Sequence, residues 1–435
     1  MNSKTQQTRY LVIGAGLTGL SAAYFLKKDY LVVEADQLPG GTAGTFTKNG
    51  FKLDNAVHIL YFKQQQIKNW ISEELKLDLI EQQRQNSIWI KNRYVEFPLQ
   101  YHLSKLPVFT RALALYSIIK TFNICKHRQT YNNFEDYSFK VFGKYLTDLF
   151  VKPYNEKLFN TKLSEMNIDW MGDYVPNYSR MKILMSAFGF VDRKYGRNAS
   201  YYYPSDGGIS TLAQKIYSFL EIKPLFNCSL TKVYLTDKTA ALSDGTLVKY
   251  EHLINTIPLK EFVEKIDNVP ANVSESIKKL KKNTTTLLHL MCKGNITYKF
   301  DWIYCADRSI PFYRVTLPGN INPANCPEGH FSITLEYGGD VYNDKRIFSS
   351  AIESLNSMGL LNLNTIVIDH QWKLINCGYV IYNQHRKEVL HDVLPYLNSN
   401  NIWSVGRYGS WEYSNMEDAI SHGRNIAIKL MENSK

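Results

Sequence analysis

The chain has 435 residues, 44% of them hydrophobic, with 51 basic against 40 acidic residues and a net charge of +11. That length supports two or three domains with substantial cores. The basic excess is scattered, as in Lys278-Lys279-Lys281-Lys282, without a long basic tail; this reads as a solvated surface, speaks against a nucleic-acid partner, and leaves room for an anionic small ligand. The six cysteines (Cys125, Cys228, Cys292, Cys305, Cys326, Cys377) form no CxxC pair, so neither a metal site nor a disulfide framework is expected. The apolar residues 112–119 are too few to cross a bilayer. The first strand-like run, Tyr10 to Ile13, begins almost at the N-terminus with no secretory signal before it, so a reduced, cytoplasmic protein is expected.

The first elements are the most informative. Tyr10, Leu11, Val12 and Ile13 predict a buried strand. Gly14-Ala15-Gly16-Leu17-Thr18-Gly19 then turns into a helix with apolar residues on a 3.6-residue period. A second apolar run, residues 30–33, ends in Glu34 and Ala35. Gly14 suits the tight turn, Gly16 the approach of a pyrophosphate, and Gly19 the close packing of helix on strand. The helix N-terminus, at Leu17 and Thr18, offers N–H groups to that pyrophosphate. Glu34 is placed to accept hydrogen bonds from a ribose. Gly40-Gly41, followed by Thr42, is an FAD-type extension in which a second backbone segment meets the cofactor, so FAD is favoured over NAD.

Further along, residues 51–58 alternate like a strand and end at His58, in a loop expected to meet the cofactor. Residues 67–82 predict an amphipathic helix with Ile67, Trp70, Ile71, Leu75 and Leu79 on one face. A hairpin is expected over residues 87–95, turning at Lys91-Asn92. A long helical region runs from Phe97 to about Met185. Residues 223–257 read as a meander whose last strand returns to the nucleotide domain, and residues 284–375 as an antiparallel sheet. Residues 402–407 form a last strand, and Asn415 to Asp418 cap a final helix in a near capping box. Gly423 inside that helix implies close approach, either to a cofactor or to a packed neighbour.

On these residues the chain resembles UDP-galactopyranose mutase, more the eukaryotic type than the bacterial, within the wider amine oxidase and protoporphyrinogen oxidase class of flavoproteins. Asp54-x-x-x-His58 resembles the family's histidine loop, and Phe97-Pro98-Leu99-Gln100 its uridine segment. Residues 150–159 resemble a Phe-x-x-Pro-Tyr-Asn-x-Lys-x-Trp helix. Trp170-Met171-Gly172 and Gly196-Arg197-Asn198-Ala199 resemble two further motifs. Pro311-Phe312-Tyr313-Arg314 and Gly406-Arg407-Tyr408-Gly409-Ser410-Trp411-Glu412-Tyr413 are the most specific. Departures fall mainly on the nucleotide-sugar side: Leu99 for an aromatic, Ala56 for a glycine, Ile321 for a tyrosine, Glu412 for a basic residue and Val380 for a proline.

The resemblance implies an α/β fold: a discontinuous Rossmann-type FAD domain, a helical insertion and an antiparallel substrate sheet. The implied bounds are 1–92 for the first part of the FAD domain, 93–190 for the insertion, 191–275 for the return with its meander, 276–378 for the sheet, and 379–435 for the last part. It implies a mutase that interconverts pyranose and furanose forms of a nucleotide sugar such as UDP-galactose, through a sugar adduct at N5 of the reduced flavin, in polysaccharide biosynthesis, with NADPH or another reductant. Arg314 would clamp the diphosphate, with Arg180 and Arg197 as weaker candidates. Tyr379 and Tyr413 would donate to phosphate oxygens. Gln100 and Trp170 would lie on the nucleoside side, Asn198 near the sugar, and His58 against the flavin. Gly406, Arg407, Asn415 and Met416 would join the cofactor site. An FAD oxidoreductase of the amine oxidase, protoporphyrinogen oxidase or desaturase type is the alternative, and a flavin-containing binding protein without turnover is a third reading. Oligomeric state stays open.

Overall fold

Successive side chains of a strand point to opposite faces, and β1 (Thr5–Ile13) uses both. Tyr10 and Val12 enter one core with Leu20 and Ala23 of α1 (Leu17–Leu26), while Leu11 and Ile13 enter a second core with Leu253 and Val389. A strand covered on both faces belongs inside a parallel sheet. The computed structural model, which describes residues 5–122, 130–171, 180–190 and 200–433, shows this arrangement. β1 lies between β2 (Tyr30–Val33) and Leu247–Asn255, parallel to both. Thr239–Leu242 and Leu230–Tyr234 extend the sheet as an antiparallel meander. Ile402–Ser404 pairs in parallel with the end of Leu247–Asn255. One six-stranded sheet therefore draws on the start, middle and end of the chain.

The C-terminal helix Met416–Glu432 packs across α1. Gly423 makes the crossing possible: a Cβ there would lie 2.2 Å from the Thr18 carbonyl oxygen. Of the two readings of this glycine, helix packing is the one the structure supports. The helix opens with a full capping box, Asn415 accepting from the Asp418 N–H and Asp418 from the Asn415 N–H, each at 2.9 Å.

The second sheet has seven strands, in the order Ile366–Ile381, Lys281–Lys293, His330–Gly338, Arg314–Thr316, Trp302–Cys305, Asn86–Ile90, Arg93–Glu96. All neighbours are antiparallel except Trp302–Cys305 with Asn86–Ile90. The hairpin expected over residues 87–95 is therefore an edge of this sheet and not of the nucleotide sheet, because its partner strand lies more than two hundred residues away. One face carries Ile333, Leu335 and Tyr337 against helix Lys345–Ser357. The other is more polar, and the hairpin of Thr45–Lys48 and Phe51–Asp54 lies over part of it, with Phe51 and Leu53 on Met291 and Phe46 edge-on to His289.

The helix expected over residues 67–82 is shorter. Gln65–Asn69 widens into a single broad turn, Trp70–Glu74, and Lys76 takes a left-handed φ of +52° that stops it. Ile67, Trp70, Ile71 and Leu75 are buried as expected, but Leu79 begins strand Leu79–Gln83, paired with Ser200–Pro204. The long helical region breaks into Val108–Phe122, Phe134–Leu146, Lys152–Phe159 and Arg180–Ser186.

Candidate active site

The cofactor cradle is built from backbone. Gly14 takes φ +102°, and a Cβ there would lie 2.5 Å from Thr256 Oγ1. A Cβ on Gly19 would lie 1.9 Å from the Gly14 carbonyl oxygen, so α1 approaches the turn as only glycine allows. Around Gly16 the space is open: a Cβ would meet no heavy atom within 4 Å. No side chain caps α1 there, which leaves N–H groups at its N-terminus, beside the buried Leu17 and Thr18, for an anion. Gly40 bridges to Gly16, its N–H donating to the Ala15 carbonyl at 2.9 Å, and a Cβ on Gly41 would touch the Gly16 Cα at 3.4 Å. The second glycine pair thus supplies the other backbone wall.

Glu34 accepts from the Ala15 N–H at 2.6 Å and the Asp36 N–H at 2.9 Å. Burial raises its pKa while these N–H bonds pull it back. A carboxylate accepts about four hydrogen bonds, so capacity remains for a ribose hydroxyl. Ala35 follows it, exposed. On the far side, Gly406 opens a short turn, Gly406–Gly409, against Thr18. The Tyr408 hydroxyl meets the Thr42 side chain, and Asn415 and Met416 start the C-terminal helix beside this turn. Glu417, fully buried and not singled out by sequence, accepts from the N–H groups of Lys63 and Gln64 and ties the segment after His58 to this helix. The residues present fit FAD: two glycine-rich walls, an uncapped helix end and an acidic ribose contact.

The reacting face comes from the second sheet. Tyr304, Arg314 and Glu336 are direct cross-strand neighbours in one row. Arg314 donates Nε–H to Glu336 Oε1 at 2.6 Å and Nη2–H to Oε2 at 2.5 Å. Tyr313 adds its hydroxyl to Oε2 at 2.8 Å. Burial works against the Arg314 charge, but the fully buried Glu336 carboxylate together with Tyr379 and Tyr313 more than offsets it. Sequence reading placed Arg314 here and missed Glu336. The signal was present: in Phe331 to Tyr337 apolar and polar residues alternate, and Glu336 is the one acidic residue on the polar side.

Arg407 is the second buried cation. Its Nη1–H donates to the Ser414 carbonyl at 2.8 Å, its Nε–H is buried without a partner, and among the described residues it forms no ion pair. It lies over the rings of Tyr413 and Tyr379, which stack on each other at 6.2 Å. Tyr413 meets Trp170 edge-on, and its hydroxyl is pushed up to about 12, mainly by burial. Burial, followed by the field of Arg407, holds the His58 pKa down to about 4, so the ring is neutral at neutral pH. His58 also lies within the field of Arg314 and Glu336, so these charged groups are near neighbours of the His58 ring.

Trp170 is half-buried among Phe134, Phe159 and Tyr413, its indole N–H without a partner. Gln100 lies in the turn Leu99–Tyr101, where its carbonyl accepts from Ser186; none of its contacts brings it to Arg314. Leu99 is buried in the helical core and offers no platform to a base. Arg180 opens its helix, but its side chain, like Arg197 and Asn198, lies outside the described residues. Two residues of the 150–159 motif, given no role from the sequence, also belong here. Tyr154, edge-on to Tyr304 and Tyr313, lies within the field of Arg314. Lys157 donates to the carbonyls of Ile310 at 2.7 Å, Cys305 at 3.2 Å and also Asp307, clamping the loop that leads into Arg314; burial lowers its pKa to about 8.

Residues 12–73 match the NAD(P)-binding Rossmann-like domain family. Coproporphyrinogen III oxidase of Staphylococcus aureus is 44% identical over 48 residues, a match that spans about a tenth of either chain. Over the whole fold the chain is similar to a reduced UDP-galactopyranose mutase, with TM-score 0.92 and 25% identity over 98% of this chain and 94% of that one. Putrescine oxidase bound to putrescine (TM-score 0.67, 14% identity, 98% and 100% coverage) shares the fold. So does a fatty acid isomerase from P. acnes (TM-score 0.66, 13% identity, 97% and 98% coverage). Over its whole length the chain thus shares the fold of UDP-galactopyranose mutase, with a glycine-rich cradle that fits FAD.

Proposed function

We propose that this protein is an FAD-dependent mutase acting on a nucleotide sugar, interconverting the pyranose and furanose forms of a UDP-linked sugar such as UDP-galactose. The observation that carries the reading is the pair of buried arginines, Arg314 and Arg407, whose fields both reach His58 in the loop next to the cradle. The full-length likeness to UDP-galactopyranose mutase supports it.

Bound in the cradle and reduced by NADPH or another donor, FAD would supply a nucleophilic ring nitrogen. The chain's own residues do the positioning. Guanidinium has five N–H donors, and Glu336 takes two of those on Arg314 in fixed geometry. The remainder are presented as a rigid fork to a diphosphate. In a site shielded from water this charge stabilises the diphosphate most as it leaves the anomeric carbon. Tyr413, protonated at neutral pH, and Tyr379 beside it donate to phosphate oxygens. Neutral His58 shapes the wall against the cofactor without adding charge. Gln100 and Trp170 take the nucleoside side, and Asn198, Arg180 and Arg197 complete the sugar and phosphate contacts.

The test is a visible spectrum of the purified protein, then titration of UDP and UDP-galactose onto the dithionite-reduced form. Tighter nucleotide binding in the reduced state, with Arg314→Ala keeping the flavin spectrum and losing about 10²-fold or more in turnover, is the expected result. An Arg314→Ala variant with full turnover would sink the proposal. The oxidase likeness keeps one rival in view: rapid oxygen consumption with an amine and no response to UDP would transfer the assignment to an oxidoreductase. Two buried guanidinium groups oppose a cationic amine and favour an anionic substrate.

A further inference from the structure

The outer face of the helical insertion is apolar and exposed. Along Val108–Phe122, Phe109 (75% exposed), Tyr116 (59%) and Ile119 (54%) recur at helical spacing. Along the segment beginning with Arg180–Ser186, Met181 (59%), Met185 (45%) and Phe188 (73%) do the same. The two faces adjoin. Ala114 and Ile118 share one core with Ile183 and Ala187 on the inner side, and Arg111 donates to the Ala187 carbonyl across the seam at 3.4 Å. Soluble monomers rarely leave such a surface open unless something binds it.

Charge says what. Residues 97–134 contain no Asp or Glu, yet the described part of this stretch includes Lys105, Arg111 and Lys120. Lys120 extends over the Tyr116 ring at 4.6 Å, so the positive charge lies on the apolar face itself. Aromatic and aliphatic residues set among basic ones fit the boundary between headgroups and acyl chains of an anionic bilayer. A second copy of the chain would bring the same basic residues and no carboxylate from residues 97–134 to the contact, whereas an anionic surface supplies the opposite charge. Among the described residues no helix is long and apolar enough to span a membrane, so the contact is one of lying on the surface.

We propose that the outer face of helix Val108–Phe122 and of the segment around Arg180–Ser186 docks the protein on anionic lipid surfaces. The proposal does not depend on the reaction assigned to the cleft. It is tested by flotation of the FAD-loaded protein with vesicles of phosphatidylcholine and phosphatidylglycerol in roughly equal parts, against pure phosphatidylcholine. Binding to the anionic vesicles alone, weakened by salt, is expected. Phe109→Ser with Phe188→Ser should weaken it at least tenfold, and Lys105→Gln with Lys120→Gln roughly fivefold per lysine, each variant keeping its flavin spectrum. Equal binding to both vesicles, binding unchanged by both variants, or no vesicle binding would overturn it. No vesicle binding alongside self-association that the phenylalanine variant abolishes would make the face an interface between copies.

Discussion

Ala56 holds φ +65° in the loop leading to His58. In this left-handed region a Cβ crowds the following carbonyl oxygen, at a cost of about 1–2 kcal/mol. The resembled family has glycine at this position, and the backbone explains why. Ala56→Gly, after allowing for greater freedom in the unfolded chain, should stabilise the protein by about 0.5–1 kcal/mol in urea unfolding. Glu336 works in the opposite direction. Glu336→Gln leaves Arg314 buried without its counter-charge, and should cost about 3 kcal/mol, while FAD binding, which relies on other residues, persists in the visible spectrum. His289, fully buried with its Nδ1 on Thr334 and Nε2 without a partner, has its pKa lowered to about 3 by burial. Between that value and the ordinary one near 6.5 only the unfolded chain takes up the proton. Its contribution to stability is therefore complete above about 6.5 and is lost as pH falls. His289→Gln should show a smaller drop in urea midpoint between pH 7.5 and 5 than the parent chain; an equal drop would assign the effect elsewhere.

At the scale of elements, the crossing of α1 by helix Met416–Glu432 is the tightest constraint on the cradle. Gly423→Val would drive a side chain into the Thr18 carbonyl, 2.2 Å from the Cβ position, at a cost of about 1–3 kcal/mol or more. Because Thr18 belongs to the α1 N-terminus, the variant should also bind FAD more weakly, read as flavin lost on gel filtration. The same scale shows what sequence could and could not disclose. β1, α1 and β2 were legible because turn, periodicity and acidic residue are all local. The capping box at Asn415 was legible for the same reason. Leu79 was misread because its apolar spacing continues that of the preceding helix, whereas its strand depends on Ser200–Pro204. The hairpin at residues 86–96 was seen as a hairpin, but its sheet was set by Trp302–Cys305, a distant partner that leaves no mark on its own residues. In the site, Arg314 stood out through its motif. Glu336 did not, since a strand glutamate looks exposed until a cation is known to face it.

For the molecule as a whole, FAD would sit where the separated parts of the nucleotide domain meet: the turn at Gly14 to Gly19, the pair Gly40-Gly41, and the turn at Gly406. Ligand bound only by the folded state stabilises that state by mass action. Adding FAD at a hundredfold excess over its Kd should raise unfolding free energy by about 2.7 kcal/mol, and Tm should climb with FAD concentration. A Tm indifferent to FAD would mean that these segments do not jointly hold it.

The interleaving of the six-stranded sheet has a consequence for how the protein is made. β1 leaves the ribosome early, but its parallel neighbour Leu247–Asn255 follows much later and Ile402–Ser404 later still. At roughly 5–20 residues per second, about 20–80 s separate the first strand from the last. Until Leu247–Asn255 emerges, β1 waits with one unpaired edge and an uncovered apolar face, and the edge of Leu247–Asn255 then waits in turn for Ile402–Ser404. The nascent chain therefore passes through a long window in which chaperones, rather than its own cofactor, must keep that edge from sticking to others.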